Sequence, residues 1–159
     1  MVEINDPAPS AKLWKTTSEG FDRDFDLKDA YADGITVLYF FPAAFTGVCT
    51  ESNCQLRDDL GEFAELNAKL FGVSVDLPFS QQKFHELNNL NYPLLSDFNK
   101  TLIESFDIVD NDFAGFFKGV AKRSLFAVKD GKIIFKWVAE SPGNYPPFDE
   151  LKETIKAHV

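Results

Sequence analysis

Cysteine, histidine and long apolar runs are all scarce in this chain of 159 residues, and each scarcity narrows what it can be. The two cysteines, Cys49 and Cys54, are too few for a disulfide scaffold. Where thiols are held reduced, such a close pair is catalytic, redox-sensing or incidental rather than a structural staple. No Cys-x-x-Cys is present, which disfavours a thiol–disulfide oxidoreductase. The two histidines, His85 and His158, lie far apart, with no cysteine or carboxylate at metal-ligand spacing, so no metal site is expected. Lys/Arg clusters are absent and the formal net charge is −9, which argues against nucleic acid and anionic membrane surfaces as partners. No stretch approaches the roughly 20 apolar residues of a membrane span. The segment Met1–Pro7 has neither a basic region nor an apolar one, so a soluble, cytoplasmic protein is expected. Repeats, low-complexity tracts and breaks in composition are also missing. With 45% hydrophobic residues, positions 1–159 are expected to form one domain around one core.

What is present centres on Pro42-Ala43-Ala44-Phe45-Thr46-Gly47-Val48-Cys49. Before it, Ile35-Thr36-Val37-Leu38-Tyr39-Phe40-Phe41 is β-branched, aromatic and almost wholly apolar, the signature of a strand buried on both faces. Pro42 ends that strand because proline cannot donate to a sheet ladder. Beyond Cys49 the period becomes helical, with Leu56, Leu60, Phe63, Leu66 and Leu70 at three- and four-residue steps. Thr46 is placed as the N-cap, which puts Cys49 in the first turn. There, unpaired N–H groups and the positive end of the helix dipole favour the thiolate, the nucleophilic form of cysteine.

Either side of this unit the pattern alternates. Residues 11–32, broken at Ser18-Glu19-Gly20 and followed by Asp33-Gly34, suggest an N-terminal hairpin and a turn. Leu70–Val75 reads as a second core strand and Phe79–Leu90 as a helix presenting Phe84, Leu87 and Leu90. Tyr92–Asp97 is a short extended segment, and Lys100–Phe106 a brief helix with Leu102, Ile103 and Phe106 inward. A loop follows to about Lys122. Ser124–Val128 and Ile133–Val138 flank Asp130-Gly131, a tight-turn signal for a hairpin. Phe148, Leu151 and Ile155 give the last helix its apolar stripe. This order predicts an α/β fold, a mixed central sheet with helices on its faces.

These residues resemble the peroxiredoxins, whose active-site motif is Pro-x-x-x-Thr-x-x-Cys at the start of a helix in a thioredoxin-like fold. Pro42, Thr46 and Cys49 match that motif, Arg123 matches the family's arginine at the start of a later strand, and the likeness covers nearly the whole chain. Cys54 further resembles the resolving cysteine of the Q-type, or bacterioferritin-comigratory, subgroup. One position departs: many relatives carry Glu or Gln three residues after the reactive cysteine, where this chain has Ser52, with Glu51 one place earlier.

The resemblance implies a thiol peroxidase for hydrogen peroxide or organic hydroperoxides, recycled by thioredoxin, glutaredoxin or a similar dithiol, as monomer or homodimer, with no metal, haem or flavin. Cys49 is then the nucleophile that becomes a sulfenic acid. Arg123 would stabilise negative charge on the sulfur and on the peroxide. Thr46 would help align the peroxide, and Pro42 would shape and partly dry the pocket. The aromatic residues Phe40, Phe41, Phe45, Phe113, Phe116, Phe117 and Trp137 receive no catalytic role, since most of the 17 phenylalanines must simply fill the core. On an ideal helix Cys54 stands about 140° around and roughly 8.7 Å from Cys49, nearer Asp58 and Glu65. A disulfide needs about 4.4–6.8 Å, so pairing requires local unwinding. The alternatives are a bystander Cys54 in a one-cysteine enzyme, or a sensor that passes oxidation from Cys49 to a partner protein.

Overall fold

The structure, a computed structural model, describes residues 2–159. Its strands are β1 (Lys12–Thr17), β2 (Gly20–Asp26), β3 (Ile35–Phe40), β4 (Ala68–Ser74), β5 (Leu94–Ser96), β6 (Val109–Asp110), β7 (Val120–Ala121), β8 (Ser124–Lys129) and β9 (Lys132–Val138). Its helices are α1 (Leu27–Tyr31), α2 (Gly47–Glu65), α3 (Pro78–Leu87), α4 (Thr101–Phe106) and α5 (Phe148–Ala157). Seven strands form one sheet in the order β2-β1-β5-β4-β3-β8-β9, while β6 and β7 pair separately. β4 runs parallel to both β3 and β5, and the remaining pairs are antiparallel. The mixed sheet and its N-terminal hairpin are as the element order predicts, in the thioredoxin-like arrangement that the resemblance implies.

Alternation along β3 explains why that strand carries no polar face. Ile35, Val37 and Tyr39, with Phe41 just beyond, point into a core shared with Leu56 and Phe63 of α2, Phe84 of α3 and Leu151 and Ile155 of α5. Leu38 and Phe40 point the other way, onto Leu27 and Tyr31 of α1 and Leu102, Ile103 and Phe106 of α4. Both faces are roofed, so every residue of β3 is buried. Truncating a fully buried anchor such as Phe63 to alanine would cost about 3–5 kcal/mol.

Several boundaries differ from the sequence reading, each for a local reason. Leu70 belongs to β4 rather than to the α2 stripe: the helix stops at Glu65, and Asn67, at a left-handed φ of 55°, turns the chain into the strand. Helix α3 ends at Leu87, which is exposed, whereas Leu90 is buried beyond the helix end. The five-residue α1, started by Asp26 accepting from Lys28 N–H, is too short to leave a periodic pattern. Tyr92–Asp97 contains a true strand, β5, lodged between β4 and β1, and the loop before Lys122 carries β6 and β7. The β8–β9 turn is as expected, with Asp130 and Gly131 both at positive φ.

The hairpin β1–β2 is pinned to α3 through His85. Ser18 N–H donates to His85 Nδ1 (3.0 Å), which places the ring proton on Nε2, facing the Tyr92 carbonyl at 3.1 Å. Burial holds this imidazole below its ordinary 6.5, partly offset by the bond to Tyr92. As pH falls the unfolded chain therefore takes up this proton first, so the contribution to stability is whole above about 6.5 and is lost as pH drops through the lowered folded value. Thermal denaturation across that window should fall less steeply for His85→Gln than for the parent. Identical pH slopes would remove His85 from the account.

Candidate active site

The strand β3 ends at Phe40, and Phe41 N–H still bonds the Val73 carbonyl before Pro42 breaks the ladder. The loop that follows is tied down from β4's end: Asp76 Oδ2 accepts from Ala44 N–H at 2.9 Å and from Ser74 Oγ at 2.7 Å. Phe45 then takes a φ of 68°, a left-handed value that is costly for a bulky residue, and its ring packs on Phe84. These restraints turn the chain so that α2 begins at Gly47 with Cys49 in its first turn, fully buried.

Arg123 reaches this sulfur because of strand register. β8 runs antiparallel to β3 with Ser124 opposite Phe40, so the residue before Ser124 arrives where β3 gives way to the loop. Nη1 and Nη2 of Arg123 each lie 3.3 Å from Cys49 Sγ, across 74 positions of sequence. Nε donates to the Pro142 carbonyl at 3.0 Å, and Nη1 also donates to Tyr39 Oη at 2.7 Å. Burial works against the guanidinium's charge, but the Tyr39 oxygen and the Cys49 sulfur outweigh it and hold its pKa above the ordinary value. A forked cation thus sits against a buried sulfur, placed to stabilise negative charge that develops there or on an incoming oxygen.

The other predicted residues are placed less directly. Pro42 is buried where the ladder stops. Thr46 occupies the N-cap position, and its carbonyl accepts from Thr50 N–H, but its hydroxyl does not cap the helix. Instead Thr46 Oγ1 donates to the Ala43 carbonyl at 3.0 Å, so the N–H groups of the first turn receive no bond from that side chain. The hydroxyl oxygen keeps its lone pairs for a further donor. Ser52, one turn after Cys49, is fully buried and hydrogen-bonded to Tyr39, whereas Glu51 is exposed.

Cys54 is half-buried, and both cysteines are free thiols. The reverse face of α2 there meets Asn88 at the end of α3. Cys54 Sγ donates weakly to Asn88 Oδ1 at 3.7 Å, and Arg57 Nη1 donates to the Asn88 carbonyl at 2.6 Å. Helix α2 is continuous from Gly47 to Glu65, so Cys49 and Cys54 stand roughly 8.7 Å apart between Cα atoms. Among the described residues, no group of three or more His, Cys, Asp or Glu is arranged to hold a metal ion, and no helix is long and apolar enough to cross a membrane.

Sequence reasoning passed over Tyr39 and Asp76. Tyr39 looked like one more core aromatic, and only the i+3 position of Ser52 relative to Cys49 hinted that a buried hydroxyl lay near the sulfur. Asp76 follows a strand and has no local pattern to distinguish it.

Residues 4–136 match the AhpC/TSA family. The sequence is similar to peroxiredoxin Bcp of Bacillus subtilis (strain 168), 34% identical over 138 residues that cover 86% of this chain and 85% of that protein. It is also similar to the chloroplastic 2-Cys peroxiredoxin BAS1 of Spinacia oleracea, 33% identical over 147 residues, 86% of this chain but 54% of that longer protein. In three dimensions it is similar to peroxidoxin BcpB from Mycobacterium tuberculosis, with a TM-score of 0.84 at 31% identity, covering 100% of this chain and 99% of that one.

The geometry makes the cation's effect measurable without any substrate. Arg123→Met keeps much of the side-chain volume and removes the charge. It should slow alkylation of Cys49 by iodoacetamide at neutral pH by about tenfold or more, the scale of losing a cation within about 4–6 Å of an anion. An unchanged rate would mean that the guanidinium does not act on the sulfur.

Proposed function

Because the chain belongs to the AhpC/TSA family of peroxiredoxins, which are thiol peroxidases, we propose that it reduces hydrogen peroxide and organic hydroperoxides through Cys49. The observation that carries this reading is the fork of Arg123 on Cys49 Sγ, both nitrogens at 3.3 Å.

In the proposed reaction the Cys49 thiolate attacks one oxygen of the peroxide along the O–O axis. An S–O bond forms, the O–O bond breaks, and the departing oxygen leaves as water or alcohol after taking a proton; the sulfur is left as sulfenic acid. Arg123 offsets the negative charge that moves from sulfur to the leaving oxygen. Thr46, with its proton committed to Ala43, presents lone pairs to the peroxide O–H and so orients it. Pro42, buried and lacking an N–H, narrows and dries the pocket, which strengthens these interactions.

Cys54 is proposed as the resolving residue. Its thiol attacks the Cys49 sulfenic acid, water leaves, and a disulfide forms that an external dithiol, thioredoxin, glutaredoxin or a similar donor, reduces back to two thiols. The roughly 8.7 Å helical separation exceeds disulfide reach, so the first turns of α2 must unwind between oxidation and resolution. We place the activity in one domain over residues 1–159, as monomer or homodimer, and in the cytoplasm, where such donors and reduced thiols coexist.

Peroxide consumption with a dithiol donor should vanish in Cys49→Ser. If the parent consumed peroxide no faster than that variant, the peroxidase reading would fail. One equivalent of peroxide should leave the parent lighter by two hydrogens, with a Cys49–Cys54 cross-link in its peptide map and loss of helical far-ultraviolet signal. A persistent sulfenic acid without that cross-link would make Cys54 a bystander and the enzyme a one-cysteine peroxidase. Sluggish turnover together with ready disulfide exchange onto another protein would instead indicate a relay.

A further inference from the structure

Arg123 is held from behind by a chain of two buried hydroxyls, and the direction of that chain is fixed. Ser52 Oγ has one proton, committed to the carbonyls of Val48 (2.7 Å) and Cys49 (3.2 Å) in the first turn of α2. Toward Tyr39 it can therefore only accept, so Tyr39 O–H donates to Ser52 Oγ across 2.5 Å. With its own proton spent, Tyr39 turns oxygen lone pairs toward Arg123 Nη1, 2.7 Å away. Tyr39 and Ser52 are fully buried and Arg123 is 3% exposed, so no solvent competes for these bonds.

From this we propose that Tyr39 and Ser52 are positioning residues of the peroxidatic site, a neutral relay that aims the Arg123 guanidinium at Cys49 Sγ. The proposal rests on the peroxidase reading given above. Neutrality matters physically. A carboxylate behind Arg123 would share its charge, whereas two hydroxyls orient the fork and leave that charge for the sulfur and the peroxide. Burial supports this by pushing the Tyr39 phenol well above its ordinary range, more than the guanidinium draws it back, so the relay stays uncharged. The relay also ends on carbonyls of Val48 and Cys49 themselves. The cation is accordingly aimed only while that turn is wound, and unwinding for disulfide formation releases it.

The test is stopped-flow reaction of reduced enzyme with hydrogen peroxide over a range of pH, for Tyr39→Phe, Ser52→Ala, the double variant, and Tyr39→Phe within Arg123→Met. Tyr39→Phe should slow the reaction about tenfold, the scale of one hydrogen bond to a charged group, and displace its pH profile toward higher pH. Ser52→Ala should slow it severalfold, and the double variant should be no slower than Tyr39→Phe, because the two act in series. On the Arg123→Met background Tyr39→Phe should change nothing, which a general packing defect would not reproduce. Ser52→Ala carries the same test should Tyr39→Phe fold poorly. A Tyr39→Phe rate and pH profile matching the parent, or a further slowing of Arg123→Met, would overturn the relay. A parent enzyme that fails to react with peroxide would instead overturn the function on which it rests.

Discussion

A guanidinium buried against a sulfur is the constraint around which the rest of this molecule is arranged. Removing such a cation from water costs several kcal/mol even after relaxation, and the cost is offset only when its donors find acceptors. Here Nε has the Pro142 carbonyl, Nη1 has Tyr39 and the sulfur, and Nη2 has the sulfur. Those acceptors come from the loop after β9, from the carboxyl end of β3 and from the first turn of α2. A shift in any of the three leaves part of a buried charge unpaired, so the site and the fold share one set of tolerances.

The sheet supplies that accuracy. Parallel pairing of β3 with β4 places the carboxyl ends of two central strands side by side, the region where open α/β sheets commonly put their ligands. From one of these ends the chain passes through Pro42 into α2. From the other, Asp76 reaches back to hold the Ala44 N–H. The antiparallel strand β8 enters from the opposite direction and delivers Arg123 at its start. A one-residue slip of β8 would send the guanidinium to the other face of the sheet, among Phe40, Phe106 and Phe126.

How much of this was readable in advance depended on whether the information was local. Pro42, Thr46 and Cys49 lie within one short run, so the strand, its stop and the helix start were legible from period and propensity. Arg123 became legible only through the resemblance of its hairpin, since nothing near it in sequence points to Cys49. Leu70 satisfied the helical and the strand patterns at once, and the backbone reversal at Asn67 decided between them. Thr46 was legible as the N-cap residue, but the bond its hydroxyl makes was not, because a side chain that caps and one bonded to the preceding loop look alike in sequence. Tyr39 and Ser52 were the least legible, as their roles follow from which way a single hydroxyl proton points.

The segment Gly47–Cys54 is poorly suited to be a helix on its own. Glycine, β-branched Val48 and Thr50, and Ser52 and Asn53, whose side chains compete for backbone hydrogen bonds, all rank low in helix propensity. The following turns rank higher through Leu56, Leu60 and Ala64, and Leu56 and Phe63 anchor them in the core with Leu60 packed alongside. What holds the first turns from outside the helix is tertiary: Tyr92 Oη on the carbonyl and side chain of Asn53, Tyr39 on Ser52, and Arg123 on Cys49. A stretch held by a few specific bonds opens at lower free energy than one held by propensity and apolar burial together. In the proposed cycle, oxidation turns the Cys49 sulfur from an anion into a neutral group and weakens its hold on Arg123. On that proposal the charge interaction at Cys49 would also favour the wound helix, and its loss would lower the cost of letting Cys49 swing toward Cys54.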